Sequence, residues 1–373
     1  MKTSRTALLA ATLLVGTPSA EWRYATPDFD WQFPRDHWTH DGFKTEWWYV
    51  TGHLRAAGSD AVRFGYQFTF FRVGVLEDTP AMPSAWASAN MVMGHAAITD
   101  FETGAHRFSE ILYRETPFLG GFNAYPDTVI AWSRAPAGTD GTWSISWNGG
   151  AFDLAMEDRV TGIGLSLETR PAKPRVFQGP NGYSRKSARD PRNASLYYSF
   201  TRLSTTGTVT VDGRARSVVG ESWMDKEFGS NQLADDQRGW DWFSLRLEDG
   251  RDLMLYRLRN ADGTESYRHA TMVDADGTAR FLADSAWALA PGDGWTSPVT
   301  GATYPLEWTV TADILDTPLR VRPQVQHQEN VSALVPNLYY WEGAVVLVDG
   351  NGASRGRGYL ELTGYGAGSR PAI

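Results

Sequence analysis

A chain of 373 residues with 42% hydrophobic and 21% charged residues has an ordinary globular composition and is long enough for two domains. Its formal charge of −8, with no basic run, argues against nucleic acid and anionic membrane surfaces as partners. The cysteine count of 0 excludes disulfides, thiolate metal sites, a cysteine nucleophile and a lipidated N-terminal cysteine. The aromatic load of 16 Trp, 15 Tyr and 17 Phe must fill a core or line an apolar cavity.

Residues 1–20, MKTSRTALLAATLLVGTPSA, read as a Sec-type signal peptide. Lys2 and Arg5 form the charged region, Ala7 to Gly16 the apolar one, and Ser19-Ala20 the small-residue cleavage end. The apolar run is well short of the roughly 20 residues a membrane span needs. Removal of Lys2 and Arg5 takes the formal charge from −8 to −10, and the mature chain is expected to be secreted or periplasmic.

Next comes His37-Trp38-Thr39-His40-Asp41, where two histidines and an aspartate could form a small metal site or simply be solvated in a loop. The stretch KTEWWYVTGHL then sets Trp47, Trp48 and Tyr49 behind Glu46. On a strand, Glu46 and Trp48 point to one face and Trp47 and Tyr49 to the other, so one ring set can face a barrel interior and the other the outside or a second domain. Glu46 is either a hydrogen-bonded anchor at the strand start or a desolvated acid whose raised pKa keeps it protonated near neutrality.

Strand signals dominate the rest. Asp-Gly and Asn-Gly pairs recur from Asp41 to Asn351, separated by short alternating runs such as FGYQFTFFR, which carries Gln67, and DLMLYRLR, which carries Tyr256. Many hairpins and almost no helix signal predict an all-β protein of sandwich or barrel type. The hairpin Trp47–Arg72 is echoed by Trp240–Arg259, predicting two related β domains, with the boundary near Gly229. Residues 170–194 are rich in Pro, Gly and basic residues and read as a long loop.

A second acid cluster lies in GESWMDKEFGS and the following GWDWFS, where Glu221, Asp225 and Glu227 accompany Trp223, Phe228, Trp240 and Trp242. A neutral carboxyl among rings could protonate a carbon–carbon double bond, with ring faces stabilising the cation and a second carboxylate guiding water. Alternatively the segment is a solvated turn in which Lys226 pairs with its neighbours. Gly352-Ala353-Ser354-Arg355-Gly356 matches the nucleophile-elbow letters but sits in a glycine-rich turn of a β region, not at a strand-to-helix elbow. No cofactor motif is present, and no metal is called for.

The blocks FPRDHWTHDGFKTEWWYVTGHL, FGYQFTFFR, YYSFTRL, GESWMDKEFGS, GWDWFSLRLEDGRDLMLYRLRNADG, YYWEGAV and GYLELTGY resemble the carotenoid 1,2-hydratase family, which includes the AttH-type secreted proteins. The resemblance implies two tandem lipocalin-like antiparallel barrels, spanning 33–228 and 229–373, packed together around a hydrophobic ligand. It implies water addition to a double bond in some members and association with export permeases in others. Carried over by position, the catalytic candidates are Asp225, Glu227 and Glu46. The ligand-binding candidates are Trp47, Trp48, Tyr49, Gln67, Trp223, Phe228, Trp240, Trp242 and Tyr256. Lys226 stands where the family usually has histidine, and Phe228 where it has tryptophan. Those departures weaken the implied hydratase chemistry and leave the binding of an isoprenoid, carotenoid or lipid as the leading expectation. An accessory role beside an export permease is the third.

Overall fold

The computed structural model describes residues 21–369 and 371, so the signal-peptide expectation lies outside the described residues. The regular structure of the described chain is almost entirely β, in two large antiparallel sheets and a small two-stranded one. The first contains β1 (Thr45–Ala56), β2 (Val62–Gly74), β3 (Asn90–Asp100), β4 (Ala105–Arg114), β5 (Gly120–Phe122), β6 (Val129–Arg134), β7 (Thr142–Trp147), β8 (Phe152–Asp158), β9 (Ile163–Pro171), β10 (Val176–Phe177), β11 (Tyr183–Arg185), β12 (Ala194–Val211) and β13 (Arg214–Asn231). Its order is β4-β3-β2-β1-β13-β12-β9-β8-β7-β6-β5, curled into a nearly closed barrel. The second sheet is built on β14 (Gln237–Leu247), β15 (Asp252–Asn260) and β16 (Glu265–Val273), closed on the other side by Tyr339–Val348 and Ser354–Leu362.

The turn chemistry performs as expected. Between β12 and β13 the two-residue loop Asp212-Gly213 has φ of 52° and 69°, the paired positive values that an Asp-Gly hairpin turn supplies. The chain crosses between sheets at residues 232–236, a few residues beyond Gly229, because β13 runs on to Asn231. Residues 170–194 are more ordered than a loop. β10 and β11 pair with the part of β12 that β9 leaves free, and a 3-10 turn at Pro180–Gly182 joins them. Their prolines and glycines erase the alternation without preventing these few backbone bonds.

GESWMDKEF is not a solvated turn but the interior of β13, held between β1 and β12. It has to be strand because both its faces are covered by apolar layers. Alternation sends Met224, with Trp48 and Val50, into the first barrel's core. It sends Trp223, with Tyr49, into a layer shared with Trp242, Met254, Tyr256 and Tyr359 of the second sheet. Phe243, Leu245, Trp308, Trp341 and Leu360 fill the second barrel. Gly220 starts this stretch because nothing larger fits: a Cβ there would lie 2.1 Å from the His53 carbonyl oxygen. Gly220→Ala is therefore expected to cost about 3 kcal/mol, read as a fall in thermal midpoint with unchanged β content by circular dichroism.

The hairpin echo is visible in the side chains. In β1–β2, buried Glu46 faces Arg72 across the ladder; in β14–β15, buried Asp241 faces Arg257 and also binds Arg259. On the opposite faces, Trp47 stands beside Glu227 and Trp242 beside Glu361 at matching positions.

Candidate functional site

The register of β1 on β13 decides how the predicted residues group. Glu46 pairs with Phe228 and Trp48 with Lys226, whereas Trp47 pairs with Glu227 and Tyr49 with Asp225. Facing partners share a side of the sheet. Glu46, Trp48 and Phe228 therefore belong to the first barrel, and Asp225, Glu227, Trp47, Tyr49, Trp223, Trp240, Trp242 and Tyr256 to the layer between barrels. Glu46 and the other two acids cannot act as one catalytic set.

Inside the first barrel, Glu46 is an ion-pair centre rather than a protonated acid. Its carboxylate accepts from the backbone N–H of His40 (2.9 Å), His40 Nδ1 (2.7 Å), Arg72 Nε (3.2 Å) and the Lys226 ammonium. Burial alone would raise its pKa, but Lys226, His40 and Arg72 together hold it well below the usual carboxylate range. Lys226 is fully buried, with Nζ 3.4 Å from the centre of the Trp48 ring. Burial draws the ammonium down to about 7, and Glu46 opposes that pull. The two histidines are not solvated. His37 is buried, its Nδ1 2.6 Å from the Tyr198 hydroxyl, and His40 stacks on Phe228 at 3.6 Å and 9°. Among the described residues no three His, Asp or Glu side chains gather as metal ligands.

The layer between barrels holds the second centre. Asp225 accepts from Ser199 Oγ (2.5 Å), Tyr197 OH (2.6 Å) and Trp223 Nε1 (2.7 Å). Trp242 Nε1 donates to Tyr197 OH from the second sheet at 3.2 Å. Burial raises the Asp225 carboxyl to about 7 in spite of those three donors. Glu227 accepts from Ser195 and Lys186, and the Lys186 ammonium lies 4.5 Å from the centre of the Tyr256 ring. Tyr256 in turn donates to the Arg185 carbonyl at 2.8 Å. Gln67 is also a cross-barrel contact, with Nε2 3.2 Å from Tyr340 OH and Oε1 accepting from Asn330 Nδ2 at 2.9 Å.

Two acids of this layer were missed in the sequence. Glu342 and Glu361 face each other across the last two strands of the second sheet. Burial raises Glu361 to about 7 and, with the Glu361 charge beside it, pushes Glu342 well above the ordinary carboxylate value. The buried Tyr49 hydroxyl lies against the Glu342 carboxyl, and both are fully enclosed. The available signal was a lone charge inside each apolar run, YYWEGAVV and YLEL.

A pair of lipocalin-like barrels with neutral-leaning carboxyls buried among rings between them defines a protein built around an apolar, acid-bearing interface. The chain belongs to the AttH-like family, whose model matches residues 24–365. It is similar to the crystal structure of an AttH protein from Nitrosomonas europaea, at 30% identity and TM-score 0.79, covering 92% of this chain and 100% of that one. Kievitone hydratase from Nectria haematococca shares the fold at 14% identity and TM-score 0.64, covering 92% of this chain and 96% of that one. CghA does so at 13% identity and TM-score 0.51, covering 86% and 88%. No curated protein matches the sequence.

Proposed function

We propose that the chain holds a hydrophobic small molecule, an isoprenoid, carotenoid or lipid, in the layer between its barrels. The observation that carries this reading is Glu342, fully buried with Glu361 rather than a cation facing it across the ladder, beside the Tyr49 hydroxyl whose ring meets Trp242 in the layer that also holds Trp223. A buried carboxyl facing a second carboxyl is costly in an apolar layer unless a ligand shares in its hydrogen bonding. On this reading the half-buried rings of Trp47 and Trp240 form the edge at which a flat or linear molecule enters. The leader-like first twenty residues support export, where such a molecule would be carried rather than made. Organic extraction and mass spectrometry of protein purified from its own host are expected to release one isoprenoid or lipid per chain. Protein that is repeatedly empty, and whose tryptophan fluorescence is not quenched by added lycopene, removes the reading.

Asp225 favours a second reading, a hydro-lyase. Its carboxyl at about 7 is part-protonated at neutrality, with rings on either side. It would pass its proton to one carbon of a double bond, leaving a cation over the Trp and Tyr faces. Water adds to that cation and returns a proton to the carboxylate, so the acid is regenerated. Fold similarity to kievitone hydratase fits this chemistry. On this reading Asp225→Asn lowers hydration of an acyclic carotenoid by about 10²–10⁴-fold; unchanged turnover assigns the proton elsewhere.

A further inference from the structure

β1 and β3 begin, and β2 and β4 end, at one rim of the first barrel, where Thr45 pairs with Val73, Gly74 with Asn90 and Met91 with Arg114. Residues 75–89 project from this rim between β2 and β3. The base of the loop is closed, because the N–H groups of Val75 and Leu76 both donate to the Ala89 carbonyl, at 2.8 and 3.1 Å. Its body is a run of tight turns, with Met82 N–H on Pro80 O (2.8 Å), Ser84 N–H on Met82 O (2.8 Å) and Ala87 N–H on Ser84 O (3.0 Å). The side chains held outward are apolar. Val75, Leu76, Met82 and Trp86 stay 47–54% exposed, and Phe118 of the β4–β5 turn, 39% exposed, meets the Trp86 ring edge-on at 4.7 Å.

Five of the eleven large apolar side chains left exposed among the described residues therefore lie on one loop and the turn beside it. A concentration of that kind marks a surface that something covers, and two observations say what. The first is charge. Residues 75–89 carry Glu77 and Asp78 and no Lys or Arg. Arg114 is turned onto the loop's own backbone, its Nη1 donating to the Trp86 carbonyl at 2.9 Å. Such a surface attracts through rings and methyl groups, which suits a neutral lipid and not an anionic one. The second is where the leader-like residues 1–20 join the described chain. The Trp22 ring fills the space a side chain at Gly74 would take, and the Arg23 N–H donates to the Gly42 carbonyl at 2.7 Å, so the join is at this same rim. Gly16, the end of the apolar run, is five residues before Glu21, at most about 18 Å of extended chain. An apolar run that enters a bilayer brings this loop to the lipid surface.

We propose that the loop 75–89, together with Phe118, is a docking edge for a neutral lipid bilayer. Leu76, Met82, Trp86 and Phe118 enter the headgroup boundary, where an indole keeps its ring in an apolar layer and its N–H wet, while the barrel stays in water. The edge is separate from the layer between barrels and needs no bound small molecule.

The chain has no cysteine, so one introduced thiol reports one position. Ala85→Cys places it on the exposed loop between Met82 and Trp86. Val160→Cys places it at the opposite rim, at a site 74% exposed in the turn that meets the β12–β13 hairpin. Each full-length variant is labelled with a polarity-sensitive dye and mixed with phosphatidylcholine vesicles. A blue shift and quenching by spin-labelled lipid are expected at position 85 and neither at position 160, and adding phosphatidylglycerol to the vesicles does not strengthen binding. Met82→Ser with Trp86→Ser, at two exposed positions outside the cores, is expected to weaken vesicle binding about tenfold or more. A dye at position 85 that stays in water overturns the proposal, whether the vesicles are unbound or held through residues 1–20 alone. An equal response at position 160, or binding that requires phosphatidylglycerol, overturns it as well. A shift at position 85 that needs no vesicles and grows with protein concentration assigns the loop to a second copy of the chain instead.

Discussion

Glu46→Gln is expected to destabilise the first barrel by about 3–5 kcal/mol, the range seen when one partner of a buried ion pair is removed. The amide preserves the shape and still accepts from His40, so packing alone predicts almost no loss. What it removes is the charge that Lys226 and Arg72 share. Arg72 keeps the carbonyls of His40 (3.0 Å) and Phe43 (2.8 Å), but among the described residues Lys226 has no other acid within bonding distance and is fully buried. The faces of Trp48 and Phe228 beside it compensate an ammonium only in part. Adding Lys226→Met in the same chain takes away the stranded charge and is expected to recover a large part of the loss, because an apolar replacement of a buried pair is often neutral. Urea midpoints of the wild type, both single variants and the double variant complete the cycle. Low and high salt should give the same coupling, since the pair is out of reach of counterions. A loss below about 1 kcal/mol for Glu46→Gln, the worth of an exposed pair, would falsify the buried-pair assignment.

That pair shows what a sequence displays and what it conceals. Period-two alternation within GESWMDKEF already separates Trp223, Asp225 and Glu227 from Met224, Lys226 and Phe228, and the same rule separates Glu46 from Trp47. Asp-Gly turns and short alternating runs expose the all-β fold for the same local reason. Register between strands is not local: that Lys226 meets Glu46, 180 residues earlier in the chain, follows from how β13 lies on β1. Without it, Glu46, Asp225 and Glu227 look like one group of acids, and the raised pKa expected for Glu46 is assigned to the wrong carboxylate. Glu342 and Glu361 were hidden for a related reason. Each is a single charge in an apolar strand, and only the packing of one barrel on the other shows that its face is covered.

Acid is expected to unfold this protein between about pH 6.5 and 4, and the sign follows from counting buried groups. Five of the seven histidines have depressed pKa values, with burial as the first cause in each. His37 and His95 fall to about 3, His106 and His269 to about 4, and His53, facing Arg246 at 2.9 Å, well below its ordinary value. Between those values and 6.5 the unfolded chain binds protons that the folded chain refuses, so stability is full above about 6.5 and is lost as pH falls. The inter-barrel acids work the other way. Asp225, Glu361 and Glu342 keep protons that the unfolded chain has released above about pH 4, so they favour the fold toward acid. Each group contributes at most about 1.4 kcal/mol per pH unit; five histidines against three carboxyls leave a net loss of at most about 3 kcal/mol per unit of acidification. Urea midpoints at pH 7, 6 and 5 are expected to fall in step. Asp225→Asn with Glu361→Gln should steepen the fall by removing the opposing carboxyls, whereas His95→Gln, which keeps a polar partner for Tyr340 and cannot charge, should flatten it. Midpoints that do not move over this range would mean that the histidines take up protons in the folded state, and that the contacts of His95 with Tyr340 and of His53 with Arg246 open to water.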